Sequence, residues 1–285
     1  MLKVLLIGSS GLIGTALGRF LGRFGQYKII LAQRTKPKLI YDYNQWFQII
    51  DAQYLDEKYL KKMFEETKPD AVINCLGITK HRMNNIKTSE IIFINSVLPQ
   101  ILCEISSEKS IRMIQISTDC VFSGKRGDYG EEDFPDPQDF YGRSKFLGEL
   151  VNERMLTLRT STIGHEIGTK FGLLEWFLSQ KNQCKGFNKA IFSGLTTIEL
   201  TRVMAKYVLP DNTICGVNHL GGNKINKYDL LKIISNEYNK NIDILPSEEL
   251  VIDRSFSSEK FYNKTGYKPK NWDCMISEMR QARYE

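Results

Sequence analysis

Tyr141 and Lys145 stand four residues apart in Tyr141-Gly142-Arg143-Ser144-Lys145, a spacing that puts both side chains on one face of a helix. An unperturbed phenol titrates near ~10 and exchanges protons slowly at neutral pH. A neighbouring ammonium stabilises the phenolate and is expected to lower that value. Upstream, Ser117-Thr118-Asp119 closes an apolar run, where the Thr118 hydroxyl can bond a substrate oxygen. Two hydroxyls on one carbonyl oxygen, with a hydride arriving at its carbon, make a carbonyl reductase. Tyr-x-x-x-Lys is common by chance. Its weight comes from order, behind a glycine loop at the N-terminus and the Ser-Thr strand end.

That loop reads Gly8-Ser9-Ser10-Gly11-Leu12-Ile13-Gly14 directly after the apolar run Val4–Ile7. Glycines let the backbone turn tightly and approach a pyrophosphate, and the helix that follows offers its free N–H groups to the anion. Gly8, Ser10, Gly11, Leu12, Ile13 and Gly14 are therefore expected to cradle a dinucleotide. The next strand should end near Ala32-Gln33-Arg34-Thr35-Lys36. No carboxylate stands there for a ribose 2′-OH, whereas Arg34 can neutralise a 2′-phosphate, so NADP(H) is the expected cofactor.

The elements needed to position these residues follow from periodicity. Val4–Ile7, Lys28–Ala32, Ala71–Asn74, Ile111–Ser117 and Met155–Thr160 read as buried strands. Leu12–Phe24, Asp56–Thr67, Ile91–Ser107 and Tyr141 to about Glu153 read as helices. This alternation predicts an α/β fold, a Rossmann-like doubly wound parallel sheet with a smaller α/β substrate-binding lobe. Residues 1–163 are expected to form the NADP-binding domain with Thr118, Tyr141 and Lys145. Residues 164–285 are expected to be mainly the substrate lobe, with parts returning to the first domain. Helices are predicted there at Leu173–Ser179, Ile198–Val208 and Lys227–Tyr238.

A net charge of +6 is spread along 285 residues without a basic block, which argues against a nucleic-acid partner. No apolar run is long enough for a signal peptide or a membrane span, so no membrane insertion and a cytoplasmic location are expected. The six cysteines include no Cys-x-x-Cys pair, and no His/Cys cluster has metal-ligand spacing. His81 and His219 read as surface or loop residues.

Gly8–Gly14, Asn74–Thr79, Asn95-Ser96, Ser117–Gly124, Tyr141–Glu149 and Leu158–Ser161 together resemble the extended short-chain dehydrogenase/reductases. Within them, the chain is most similar to dTDP-4-dehydrorhamnose reductases and related nucleotide-sugar 4-keto reductases. The resemblance implies a nucleotide-diphosphate sugar as substrate, with a ketone at C4 of a 6-deoxyhexose used for surface polysaccharide. NADPH would supply hydride, and Tyr141 the proton. Lys145 would bond the nicotinamide ribose. Asp51 and Ala52 would contact adenine, and Cys75, Leu76, Gly77, Thr79 and Ser117 would line the cofactor. Arg159–Ser161 would pack near the nicotinamide and sugar, and Trp176, Phe187, Phe192 and Thr196-Thr197 would build the sugar-nucleotide pocket. Mg2+ is admitted as a companion of the diphosphate, and a homodimer as an assembly.

Two departures concern the sugar. Cys120 stands where the rhamnose enzymes carry an aromatic residue, and Thr162–Glu166 replaces their Trp-Val-Tyr-like continuation. A UDP-linked N-acetylated 6-deoxyhexose therefore becomes the favoured substrate. Cys120 with His165 also raises a bifunctional epimerase/reductase or a plain nucleotide-sugar epimerase. A non-catalytic NADP-binding regulatory subunit is the alternative outside enzymes.

Overall fold

A computed structural model describes residues 1–34, 45–48, 55–150, 152 and 154–283, with the backbone alone for 45–48. Asp51 and Ala52 lie outside the described residues, as do Thr35 and Lys36. Seven parallel strands form the main sheet: β1 (Leu2–Ile7), β2 (Tyr27–Gln33), β3 (Gln45–Gln48), β4 (Ala71–Asn74), β5 (Arg112–Thr118), β6 (Leu156–Thr160) and β7 (Gly216–Leu220). Their order is β7-β6-β5-β4-β1-β2-β3. The chain thus reverses direction across the sheet between β1 and β4, and such a reversal opens a crevice at the carboxyl ends of those strands.

Alternation along β1 explains why both faces are covered. Val4 and Leu6 join one apolar layer with Leu17, Ile29, Leu31 and Ile73. Leu5 and Ile7 join the other with Leu60, Phe64, Ile94 and Leu102. Helix α1 (Leu12–Phe20) is shorter than predicted, because the chain tightens into a 3₁₀ turn over Leu21–Phe24 and ends at Gly25 with φ +71°. Helix α2 (Glu57–Thr67) is capped by Asp56, whose carboxylate accepts from the Tyr59 amide at 2.7 Å.

The longest helix, α3 (Thr88–Glu108), is apolar and long enough to cross a membrane by length and composition, yet half of its apolar window is buried within the fold. It contains a π-helical turn at Phe93–Val97. Pro99 supplies a cause, since it has no N–H to give the Asn95 carbonyl four residues back.

The catalytic-candidate helix, α4, spans Phe140–Leu147 and is shorter than the predicted Tyr141–Glu153. The reason is tertiary. Gly148 packs against the Asn95 carbonyl so closely that a Cβ there would lie 1.9 Å from its oxygen. Helices at Leu173–Ser179 and Lys227–Glu237 form close to their predicted limits, and that at Thr197–Val203 runs on through a π turn to Val208.

Candidate active site

The glycine loop fits its expected role by the space it denies to side chains. Gly8 has φ +81°, and a Cβ there would meet the Leu76 amide nitrogen at 2.6 Å. A Cβ on Gly14 would lie 2.3 Å from the Gly8 carbonyl oxygen. Helix α1 starts from Gly11 without any side-chain cap, which leaves its first N–H groups for an anion. Ser10 and Gly11 are exposed at the crevice, while Leu12 and Ile13 are half-buried and Ser9 is turned inward to donate to Gln33 Oε1 at 2.8 Å. Arg34 follows, exposed at the end of β2. Gly14→Ala is expected to destabilise the fold by about 1–3 kcal/mol through overpacking and to weaken NADPH binding, as thermal melts and fluorescence titration would read.

The second wall of the crevice leaves β4. Leu76 N donates to Asn74 Oδ1 at 3.1 Å, and Cys75 is half-buried, with desolvation pushing its thiol up to about 12. A Cβ on Gly77 would lie 3.7 Å from Lys145 Nζ and 3.6 Å from Asn95 Oδ1, so this wall runs directly into the candidate catalytic group. Thr79 is exposed at the start of the turn Lys80–Asn85.

Sequence reasoning gave no role to Asn95, the residue that ties these walls together. Its amide accepts from Ile78 N at 2.8 Å, donates to Ile78 O at 3.0 Å, and donates to Ser144 Oγ at 3.0 Å. Ser144 Oγ in turn donates to Tyr141 O at 2.8 Å, so Asn95 joins the β4 loop to α4. A fully buried amide within an apolar helix was the available signal.

At the end of β5, Thr118 Oγ1 accepts from Cys120 N and donates to Asp119 Oδ1, both at 3.1 Å. Asp139 caps α4 by accepting from Gly142 N at 2.8 Å. A Cβ on Gly142 would lie 2.2 Å from the Cys120 carbonyl oxygen, which brings the start of α4 against the β5 loop. Tyr141, in the first turn of α4, is thereby brought against the loop that follows Thr118. Lys145, 6% exposed, donates from Nζ to Ile116 O at 2.8 Å.

The electrostatics revise one expectation. Burial, and then the neighbouring Cys120, hold the Tyr141 phenol above its ordinary value. The expected lowering by Lys145 is overridden, because its ammonium is turned to a backbone carbonyl and is itself penalised. Burial brings Lys145 down to about 8, against the raising influence of Glu149 and Cys75.

Other expected ligand residues have structural partners. Ser117 Oγ donates to Glu149 Oε1 at 2.7 Å. Arg159 is buried in a two-point bond with the same carboxylate at 2.8 and 2.7 Å. Thr196 caps the helix that follows it, and Thr197 is buried against Gly164. His219 is not a surface or loop residue. It lies fully buried on β7, where desolvation and the adjacent Arg159 lower its pKa to about 3. Arg159 Nη1 must donate to His219 Nε2 at 3.1 Å, which leaves Nδ1–H to donate to Ser257 O at 3.1 Å. Thr160 pairs with Thr118 across the β5–β6 ladder, and its buried hydroxyl has no partner. That orphaned group, the glycine cradle and the uncapped α1 all fit a bound dinucleotide.

Cys120 and His165 are not paired with each other. Cys120 Sγ accepts from Arg254 Nη1 at 3.3 Å, and burial pushes the thiol up to about 12. His165 spends Nδ1 on Glu175 at 2.6 Å and Nε2 on Tyr238 Oη at 2.8 Å. Among the described residues, no three His, Cys, Asp or Glu side chains converge as a metal site.

The chain is 25% identical to a dTDP-4-dehydrorhamnose reductase of Aggregatibacter actinomycetemcomitans, over 83% of this chain and 79% of that one. It is 22% identical to the methionine adenosyltransferase 2 subunit beta of Xenopus laevis, over 96% of this chain and 80% of that one. The fold is shared with a dTDP-4-dehydrorhamnose reductase of Bacillus anthracis solved in complex with NADP. That likeness has a TM-score of 0.78 and 19% identity, and covers 99% of each chain. The family model described as the RmlD substrate binding domain matches residues 2–281, and the chain belongs to that family of extended short-chain dehydrogenase/reductases.

Proposed function

We propose that this protein is an NADPH-dependent reductase of the C4 ketone of a nucleotide-linked 6-deoxyhexose, serving surface polysaccharide synthesis. The observation that supports this reading is Lys145 beside Gly77, with the start of α4 that carries Tyr141 packed against the loop after Thr118, at the carboxyl ends of the central strands. The cofactor supplies hydride when bound. Gly8 to Gly14 would hold its pyrophosphate, and Lys145 its ribose. Tyr141, kept protonated by burial, donates a proton to the ketone oxygen while Thr118 holds that oxygen with a second hydrogen bond. Neutral phenol is the form that reduction requires. Magnesium takes no part in this scheme.

The departure at Cys120 supports a sugar other than a rhamnose precursor. A thiol leaves more room than an aromatic ring, and Arg254 points its guanidinium at that thiol. We favour a UDP-linked N-acetylated 6-deoxyhexose, whose acylamino group could use that space. Cys120 as an epimerising base is disfavoured, because its thiol is held neutral.

The deciding experiment is a panel of nucleotide-linked 4-keto-6-deoxysugars with NADPH consumption followed and products identified by NMR. Turnover of at least one member with a new C4 hydroxyl is expected, and none with any member would sink the reading. In the same assay, kcat/KM should favour NADPH over NADH by at least about tenfold, since a 2′-phosphate–Arg34 contact is a charge-assisted bond worth roughly 1.5–3 kcal/mol. A preference for NADH would overturn the assignment of Arg34.

A further inference from the structure

The buried ion pair between Glu149 and Arg159 has no place in the scheme above, yet it is built into the same strand. Lys145 and Glu149 are four residues apart and grip consecutive residues of β5. Lys145 Nζ donates to Ile116 O at 2.8 Å, and Glu149 Oε1 accepts from Ser117 Oγ at 2.7 Å. The next residue is Thr118. On its other side, the Glu149 carboxylate takes both bonds from Arg159. The register sets Ser117, Arg159 and His219 side by side on β5, β6 and β7. Arg159 extends Nη1 toward His219 on β7, away from β5, and its guanidinium lies 5.2 Å from the centre of the Phe122 ring.

We propose that Glu149 is a positioning residue for this machinery: its carboxylate locks β5 immediately before Thr118 and sets a negative charge on Ser117, the residue next to the one whose carbonyl holds the Lys145 ammonium. A buried ion pair is weak support for stability, because desolvating two charges costs about what their attraction returns. Its retention here is explained by what lies beside it. The charged and titratable groups around Lys145 are Glu149 on its own segment, Cys75 from the β4 loop and Tyr141 one turn back. Those around Glu149 are Arg159 and, beyond it, the neutral His219. Among them Glu149 acts first in favour of the protonated lysine, and the half-buried Cys75 thiol stays neutral below about 12.

The inference rests on Lys145 belonging to the site, but its test does not need turnover. The protein carrying 13C-labelled lysine is titrated by NMR, with the Lys145 signal assigned by its loss in Lys145→Met. Glu149→Gln alone leaves Arg159 buried without a counter-ion and risks unfolding. Glu149→Gln combined with Arg159→Met removes both charges at similar volume, an exchange that folds often tolerate. The Lys145 titration in that double variant is expected to move down by about one pH unit. Glu149→Asp, which keeps the charge, should hold it within about half a unit of the wild type. An unchanged titration in the folded double variant, or an equal drop in Glu149→Asp, would overturn the proposal. Failure of the wild type to turn over any sugar ketone would sink the reductase reading and leave this measurement standing.

Discussion

Tyr141→Phe is expected to lower kcat by about 10²–10⁴-fold, the usual contribution of a positioned proton donor, while NADPH binding stays within about twofold. The start of α4 packs on the β5 loop through Gly142, so removing the half-buried Tyr141 hydroxyl leaves that packing in place. What is lost is the proton that Tyr141 is proposed to give to the ketone oxygen. Thr118 cannot replace it, because an aliphatic hydroxyl is a far weaker acid than a phenol. The measurement also separates two classes of protein within this family. A non-catalytic NADP-binding regulatory subunit would lose nothing measurable from this change. A reductase loses turnover with its cofactor still bound. An intact rate in Tyr141→Phe would remove Tyr141 from the reaction.

Lys145→Met should abolish turnover, by about 10³-fold or more through loss of the ribose contact and the site charge, and should make the protein more stable. Burial brings the lysine from its ordinary 10.5 down to about 8. At neutral pH, native and unfolded chains both carry the proton, and the native state bears the full cost of a buried ammonium. Between about 8 and 10.5 the unfolded chain binds more protons than the native one, so wild-type stability contributed by this group rises with pH there. Methionine fills the same volume without charge. It loses the bond to Ile116 O, about 1 kcal/mol, and gains back a few kcal/mol of desolvation. A net gain of about 1–2 kcal/mol is expected below pH 8, fading toward pH 10.5. Chemical denaturation of both proteins across pH 6.5–10.5 would show it. A less stable Lys145→Met at pH 7 would mean that the ammonium is not a burden to the fold. Such an exchange of stability for function is common at active sites.

How far these features could be read from the sequence depended on how local they are. The glycine loop and the Tyr141–Lys145 pair are set by near neighbours, and both stand where periodicity placed them. The end of α4 was misjudged because Gly148, where the helix stops, is a glycine that the distant Asn95 carbonyl requires, and that contact is not visible in the local pattern. His219 was misplaced because Gly216–Leu220 is short and half polar; it becomes a buried strand only where β6 offers its free edge. The direction of the Tyr141 shift was misread for a related reason. Proximity to a lysine is visible in a spacing of four, but burial of both groups is not, and burial wins. Asn95 and Glu149 were quoted as parts of a familiar pattern without a task. Their partners lie 17 to 49 and 10 to 32 residues away respectively, beyond any local rule.

The position of β7 has a consequence for how the protein is made. When the first 163 residues have left a ribosome, every proposed reacting side chain exists, but β6 still presents a bare edge and Arg159 still lacks its histidine. Both needs are met only after residue 220, and Ser257 completes the row later still. Until then the nascent chain carries an open strand edge of the kind that invites wrong pairing. A protease nick near residue 164 would recreate that state in the finished protein if the halves part. The two segments are therefore poor candidates for shuffling between relatives. A foreign second half would have to bring its own strand to β6 and its own acceptor for Arg159.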